Sequence, residues 1–409
     1  MKKIDFSPPD ITNEEINEVV DTLKSGWLTT GPKTKKFEKN LAKFCGVEKA
    51  IGISSATMAL EMVLRLFDIG EGDEVITTAY TYTASASAIA HVGAKPILVD
   101  VKKGEFNIDP QKIAEKINSK TKAIIPVDVA GIPVDYDEIY KAIEDKKELF
   151  MPKKDTMQET LGRILLLSDS AHSVGAKYKG KMIGSVADFS VFSFHAVKNI
   201  NMAEGGAILF NNIGDIESAK IYRKLQMLSL HGQTKDAFSK NELGGWRYSI
   251  DFLGYKCNMT DLNASLGLIQ LERYKNGLLQ KRKTIFKRYI DNLKNESQFI
   301  LPILENENME SSCHLFLLRI KSIDENKRDQ IIDEMSKKGI ATNVHYIPLP
   351  MHPAYKNLGY NIIDFPNTYE MYENEISLPI YTKLRLEEVD YICEVLSNIL
   401  KEYPCVVKN

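Results

Sequence analysis

The sequence predicts an α/β protein built on a mostly parallel sheet with helices on both faces. Two observations carry this. From about residue 50 to 210, short apolar runs alternate with helical stretches, the pattern of parallel strands joined by helical crossovers. The runs themselves read as buried strands bounded by turn residues. At 409 residues the chain is long enough for two to three structural units and a large core.

The elements follow in order. Ala50–Ile53 is a short apolar strand and Thr57–Phe67 a helix. Glu74–Ile76 is a strand after the turn Gly70-Glu71-Gly72-Asp73, and Thr83–His91 is a helix of small residues. Pro96–Val99, Ala123–Val127 and Ile164–Ser168 are buried strands. Lys146–Arg163 is charged, holds a proline and reads as a surface insertion. Phe189–Phe194 alternates as a strand does, and Gly206–Phe210 is a further strand after a Gly-Gly signal. Residues 261–295 read as one long helix. Beyond them come a strand (Phe316–Ile320), a helix (Arg328–Lys338), a proline-rich segment (Ile347–Pro353) and a final helix (Glu387–Leu400). We expect a large domain over residues 1–265, with an N-terminal arm, and a smaller α+β domain over 266–409.

Lys plus Arg is 53 and Asp plus Glu is 55, giving 53 − 55 = −2. So balanced a chain has no bulk electrostatic grip on nucleic acid or an anionic membrane. The cysteines Cys45, Cys257, Cys313, Cys393 and Cys405 are odd in number and none is spaced as CxxC. This argues against a disulfide framework or a structural zinc and for a reducing, cytoplasmic setting. The N-terminus has two lysines without an apolar run behind them, unlike a signal peptide, and no apolar stretch has membrane-spanning length.

Three segments lie where strands end, and in open α/β sheets ligands bind beyond the carboxyl ends of strands. Ser54-Ser55-Ala56-Thr57 opens a helix. Taken alone it reads first as a cap, but the same free N–H groups suit an anion. Asp169, in Ser168-Asp169-Ser170-Ala171-His172, follows an apolar strand and needs a cationic partner there, unless it is a helix cap. Lys198 lies in a small-residue loop after Ser193-Phe194-His195 and before Glu204-Gly205-Gly206, where a lysine can serve as a Schiff-base amine. A helix start for a phosphate, a carboxylate for a pyridine nitrogen and a lysine for an aldehyde match the needs of pyridoxal 5′-phosphate. An aromatic over the ring face completes such a site. Tyr82 is the candidate and Tyr80 its competitor, and either could instead be packing.

With these motifs in hand, the chain resembles the DegT/StrS-type nucleotide-sugar aminotransferases, vitamin B6 enzymes of fold type I. The likeness runs from Gly26-Trp27-Leu28-Thr29-Thr30-Gly31-Pro32 to Ser377-Leu378-Pro379. Its most specific parts are Ser193–Lys198 with Glu204-Gly205-Gly206, and Ala176-Lys177-Tyr178-Lys179-Gly180 after Asp169–His172. The resemblance implies that Lys198 carries the cofactor and moves the proton, that Asp169 partners the pyridine nitrogen, and that His172 lies near the ring hydroxyl. It implies a phosphate site from Thr57, the Met58 backbone N–H and Ser193, with Tyr82 stacked on the ring. Some relatives with His in place of the lysine are dehydratases. Lys198 favours transamination, and His195 is not that replacement.

One motif departs. A Gly-aromatic-Asn-aromatic-Arg pattern appears here as Gly254-Tyr255-Lys256-Cys257-Asn258. In the family the motif reaches the cofactor phosphate of a neighbouring subunit, so the resemblance implies a homodimer with Lys256 and Asn258 lent across it. With His231-Gly232 and Asp236-Ala237, this spelling looks most like members that aminate C4 of UDP-4-keto-pentoses, then 4-keto-6-deoxyhexose C4 aminotransferases. Implied partners are a nucleotide sugar and L-glutamate. Trp27, Thr29, Thr30, His195, His345 and Tyr346, with His352-Pro353, match segments bordering the substrate pocket, or are turn and loop packing. His91 and His314 read as structural.

Overall fold

The computed structural model describes residues 3–235 and 247–402, so Asp236, Ala237 and Cys405 lie outside the described residues. The expected α/β class is what the chain adopts. Two helices lead, α1 (Asn13–Ser25) and α2 (Pro32–Cys45), followed by β1 (Lys49–Ile53), α3 (Ala56–Leu66), β2 (Glu74–Thr78), α4 (Ala84–His91), β3 (Lys95–Val99), α5 (Pro110–Lys116), β4 (Thr121–Ile125) and α6 (Tyr136–Asp145). Then come α7 (Met157–Leu161), β5 (Leu165–Asp169), a small ribbon of β6 (Lys177–Tyr178) and β7 (Lys181–Met182), β8 (Phe189–Ser193), β9 (Gly206–Phe210) and α8 (Ser218–Leu228).

The central sheet has seven strands in the order β1-β9-β8-β5-β4-β2-β3. β9 runs antiparallel to both neighbours, and the other contacts are parallel. The carboxyl ends of β1, β2, β4, β5 and β8 therefore meet at one edge, where the strand order doubles back. β4, β5, β8 and β9 are buried along their whole length, which is why they read as unbroken apolar runs. One core lies on each face, around Ile124, Leu166 and Phe192 on one and Ala123, Leu167 and Val191 on the other.

The stretch expected as one helix over 261–295 is two, α9 (Asp261–Arg273) and α10 (Leu279–Leu293), separated by a wider turn over Tyr274–Leu278 that contains Gly277. α9 packs against α1 and α2, and its Ala264, Leu268 and Leu271, with Leu278, belong to the large-domain core. Ile285 and Phe286 of α10 belong to another. The change of core thus falls past Leu278, downstream of residue 265. The rest comprises β10 (Phe299–Ile300), β11 (Met309–Glu310), β12 (Phe316–Ile320), α11 (Glu325–Lys337), α12 (Pro353–Asn357), α13 (Pro366–Glu373), β13 (Glu375–Leu378) and α14 (Leu386–Glu402). β11 pairs with β6 of the large domain, so strand hydrogen bonds link the two parts.

The 146–163 segment packs on the far edge of the sheet, away from the strand tips. Lys153 Nζ donates to Asp73 Oδ2 at 2.9 Å and to the Asp68 carbonyl at 2.6 Å, and Gln158 Nε2 to the Phe67 carbonyl at 2.7 Å. These partners precede β2 or end α3.

Glu38 is buried, accepting from the Gly52 N–H at 2.8 Å and from Tyr222 Oη at 2.7 Å. Burial pushes its carboxyl up to about 7. The folded chain then holds a proton that the unfolded chain releases near the usual carboxylate range, so this group's contribution to stability falls as pH rises from there to about 7. The Glu38→Gln variant is expected to lack this slope, which is at most about 1.4 kcal/mol per pH unit. Melting curves of both proteins between pH 5 and 8, intervals of about one unit, should show the variant gaining on wild type. Parallel curves would refute the assignment.

Candidate active site

Five loops at the converging strand ends build the site. After β5, the turn Asp169–His172 is anchored from below: Ser170 Oγ and Ser173 Oγ donate to Asp128 Oδ2 at 3.1 and 2.8 Å. Asp169 is buried. Ser85 Oγ, in the first turn of α4, donates to its Oδ2 at 2.7 Å, and the Ala171 N–H to its Oδ1 at 3.2 Å. Burial raises its pKa above the usual carboxylate range, opposed by those two bonds and by the Lys198 charge.

Lys198 lies between β8 and β9 in a turn closed by its N–H to the His195 carbonyl at 2.9 Å. Burial lowers its amine to about 8, and the Asp169 carboxylate opposes that shift. Lys198 is half-buried by its surface. An amine so lowered is neutral in a useful fraction near neutral pH, as a nucleophile must be.

At the start of α3, both readings of the tetrapeptide coexist. Ser55 Oγ caps the helix by accepting the Met58 N–H at 3.2 Å. The Met58 amide expected to hold a phosphate is therefore engaged by the cap, whereas Ala56 and Thr57 leave their amides at the open helix end. Gly206 lets β9 approach this turn: a Cβ there would lie 2.5 Å from Ala56 N and from the Ser55 carbonyl carbon. Ser193, paired with Gly206 in the sheet, is buried and accepts the His195 N–H at 3.4 Å.

Tyr80 and Tyr82 part company. Tyr80 is fully buried in a core cluster, its hydroxyl donating to the His345 carbonyl at 2.7 Å. Tyr82 is 62% exposed at the site mouth, its ring centroid 6.0 Å from that of Tyr346. His172 accepts the Ala130 N–H on Nδ1 at 3.2 Å, and its Nε2 lies 3.0 Å from Tyr346 Oη. His172 is buried, and burial, followed by the Lys198 charge, keeps it neutral well below its usual range. So Tyr346 and His345 of the small domain do come to the large-domain loops.

Along the opposite edge, the Cys257 carbonyl accepts the Ser54 N–H at 2.7 Å. This lays the 256–258 segment beside the β1–α3 turn. Lys256 Nζ contacts Asn258 Oδ1, and Asn258 Nδ2 donates to Thr30 Oγ1 at 2.6 Å. Trp27 Nε1 donates to the Thr30 carbonyl at 3.2 Å, so Trp27, Thr30, Lys256 and Asn258 form one cluster with exposed Thr29 at its side. His195 is exposed, 3.7 Å from Glu204. His352 lies at the start of α12, where it makes no side-chain cap.

Sequence reasoning missed Ser85, whose helical context carries no signal, and the supports beneath His172. His314 is buried with its ring centroid 4.3 Å from that of His172, and its Nδ1 is 2.9 Å from Asn199 Oδ1. Asn199 in turn donates to the Ser312 carbonyl at 3.0 Å. His91 is a surface residue paired with Glu61 at 3.2 Å.

The donor set fits pyridoxal phosphate on the structure's own terms. Asp169 is a buried carboxylate short of positive charge, which a protonated ring nitrogen supplies. Lys198 is a lowered amine, and α3 offers an open N-terminus flanked by hydroxyls. A parallel-sheet site with this combination defines a pyridoxal phosphate-dependent enzyme.

Comparison with known proteins agrees. Residues 9–397 match the model of the DegT/DnrJ/EryC1/StrS aminotransferase family, and the chain belongs to that family. A solved structure of the putative sugar aminotransferase Spr1654 from Streptococcus pneumoniae, in its PMP form, superposes with a TM-score of 0.94 at 49% identity, covering 98% of this chain and 99% of that one. The same protein is also known in a PLP form. Helicobacter pylori PseC, an aminotransferase of pseudoaminic acid biosynthesis, gives a TM-score of 0.85 at 30% identity over 98% of this chain and all of its own (100%). The spore coat polysaccharide biosynthesis protein SpsC of Bacillus subtilis is 37% identical over 97% of both chains. The chain is thus a pyridoxal phosphate-dependent aminotransferase of this family.

Proposed function

We propose that the enzyme moves the amino group of L-glutamate to C4 of a nucleotide-linked 4-keto sugar. The observation that supports the amine transfer is Lys198, lowered to about 8 within the field of buried Asp169, and the C4 position follows from the spelling around Lys256. When bound, the cofactor supplies an aldehyde that exchanges amines and a ring that takes up negative charge. Asp169 holds a proton on the ring nitrogen, and Ser85 keeps that carboxylate in line. Lys198 Nζ carries the cofactor and moves the proton at the reacting carbon. Thr57, Ser193 and the α3 amides take the phosphate, with Met58 at the same turn. Tyr82 covers the ring, and His172 supports its hydroxyl edge. Trp27, Thr29, Thr30, His195, His345 and Tyr346 border the sugar.

The enzyme acts as a homodimer in the cytoplasm. Lys256 and Asn258 reach the phosphate site of the second copy. The exposed Tyr248, Ile250 and Leu253 beside them support a covered surface there, Leu253 being 97% exposed in one chain. The free, buried Cys45, Cys257, Cys313 and Cys393 suit a reducing compartment. The large domain runs past residue 265 through α9 to about Leu278, and α10 opens the small one, a division supported by the change of core there.

The test is to charge the enzyme with L-glutamate and add UDP- or dTDP-linked 4-keto sugars. One of them is expected to discharge the pyridoxamine absorbance, with NMR of the product locating nitrogen at C4. Nitrogen at C3, or a deoxygenated product without nitrogen, would replace this reading with C3 amination or dehydration. Failure to take up the amine of glutamate would point to a regulator.

A further inference from the structure

A chain of hydrogen bonds in the small domain ends at the site. Asn343 and Ser377 exchange backbone hydrogen bonds of 3.2 and 2.8 Å, one antiparallel step. Two residues along, His345 lies opposite Glu375, and its N–H donates to Glu375 Oε2 at 3.0 Å. Alternate residues of a strand share a face, so Ser377 and Glu375 approach His345 together. Ser377 Oγ is 2.8 Å from His345 Nδ1 and 2.6 Å from Glu375 Oε1. Tyr80 holds the His345 carbonyl at 2.7 Å. The Phe6 ring stacks on the imidazole at 5.4 Å between centroids. His345 Nε2 has no hydrogen-bond partner among the described residues, and the ring feels the Lys198 charge.

The direction of this chain decides what Nε2 offers. Glu375 and Ser377 are both fully buried. Glu375 makes no ion pair among the described residues. Arg319, its neighbour across the strand pair, is engaged by Asn374 and Glu370, and Arg328 by Asp329 and the Tyr372 carbonyl. A carboxyl buried without a cation stays protonated, and burial indeed pushes Glu375 up to about 8. Its Oε2 accepts the His345 N–H, so its proton is on Oε1, and the bond that Ser377 Oγ would donate to an ionised Oε1 runs instead from the acid to the serine. The serine proton then goes to Nδ1, and the proton of the neutral imidazole is left on Nε2.

We infer that Glu375 and Ser377 are positioning residues, which hold His345 as the neutral tautomer whose Nε2–H donates to the keto oxygen of the sugar. A fixed neutral donor at that oxygen stabilises the charge it gains during amination. This rests on the sugar-amination reading above.

The first test needs no substrate. In holoenzyme carrying 15N-histidine, the His345 signals, assigned by their loss in His345→Gln, are expected to show a protonated Nε2 and a bare Nδ1. The reverse tautomer, or an imidazolium, would overturn the inference. Ser377→Ala cuts the relay and is expected to mix the tautomers. It should slow discharge of the aminated enzyme by the keto sugar by about 10–100-fold, the scale of losing the outer partner of a metal-bound histidine. The glutamate half-reaction should stay unchanged. Glu375→Gln keeps a donor to Ser377 and an acceptor for the His345 N–H, so tautomer and sugar rate should be retained. Equal loss in Ser377→Ala and Glu375→Gln, or equal loss in both half-reactions, would reduce these residues to structural support. Should wild type discharge with no keto sugar, the amination reading fails, while the tautomer result still decides this inference.

Discussion

Lys198→Ala is expected to leave a folded protein that binds the cofactor reversibly but cannot be fixed to it by borohydride. Wild type should yield one modified peptide, containing Lys198, and the variant none. The fold should survive because Lys198 lies in a loop and is half-buried, and the apolar residues beneath it, Phe194, Ile200 and Met202, are untouched. Losing the proton carrier should cost transamination at least about 10²–10⁴-fold, the range of positioned acid–base groups. The lowered amine makes a further prediction. Only the neutral amine attacks an aldehyde, so the rate of cofactor capture by the apoenzyme should climb with pH and level off above about 8. A capture rate still climbing at the ordinary lysine range would mean that burial does not act on this amine. A modified peptide in Lys198→Ala would assign the role to another lysine.

That Lys198 and Asp169 could be placed at strand ends from the sequence has a physical reason. Both follow strands buried on both faces, whose apolar runs announce where they end, and in this topology the ends are where ligands bind. The strands proved longer than their apolar runs at those ends: β2 continues through Thr77-Thr78, and β5 includes Asp169 itself. Polar residues there break the pattern that marks a strand: Thr77 and Thr78 are bonded to the Ile125 carbonyl and the Tyr80 N–H, and Asp169 to Ser85. The split between α9 and α10 was hidden because Tyr274 and Leu278 keep up the apolar spacing across the break. The ribbons β6, β7, β10 and β11 span two residues each, too few for any period. Only the resemblance favours Tyr82 over Tyr80, since both lie in the irregular loop after β2, where no strand period says which ring is buried. Least legible was the grip on His345. Ser377 and Glu375 lie about 30 positions away, and only the pairing of Asn343 with Ser377 brings them to it.

Asp169→Asn is expected to separate cofactor binding from chemistry. The side chain is nearly isosteric, so the amide should still accept from Ser85 or the Ala171 N–H, and the fold should hold. What it cannot do is keep a full charge beside a protonated ring nitrogen. Without that charge the ring loses its proton and with it the capacity to take up the electrons released at the reacting carbon. Transamination should fall by about 10²–10³-fold, the scale seen when one preorganised electrostatic partner is removed, with only a small change in cofactor affinity. The amine reports the same loss independently. The Asp169 charge raises the Lys198 pKa against the pull of burial, so its removal must lower that pKa further. The pH at which cofactor capture levels off should therefore fall below the wild-type value of about 8. An upward or absent shift would show that the two groups do not face each other across the site. A wild-type transamination rate would show that the ring proton is held elsewhere.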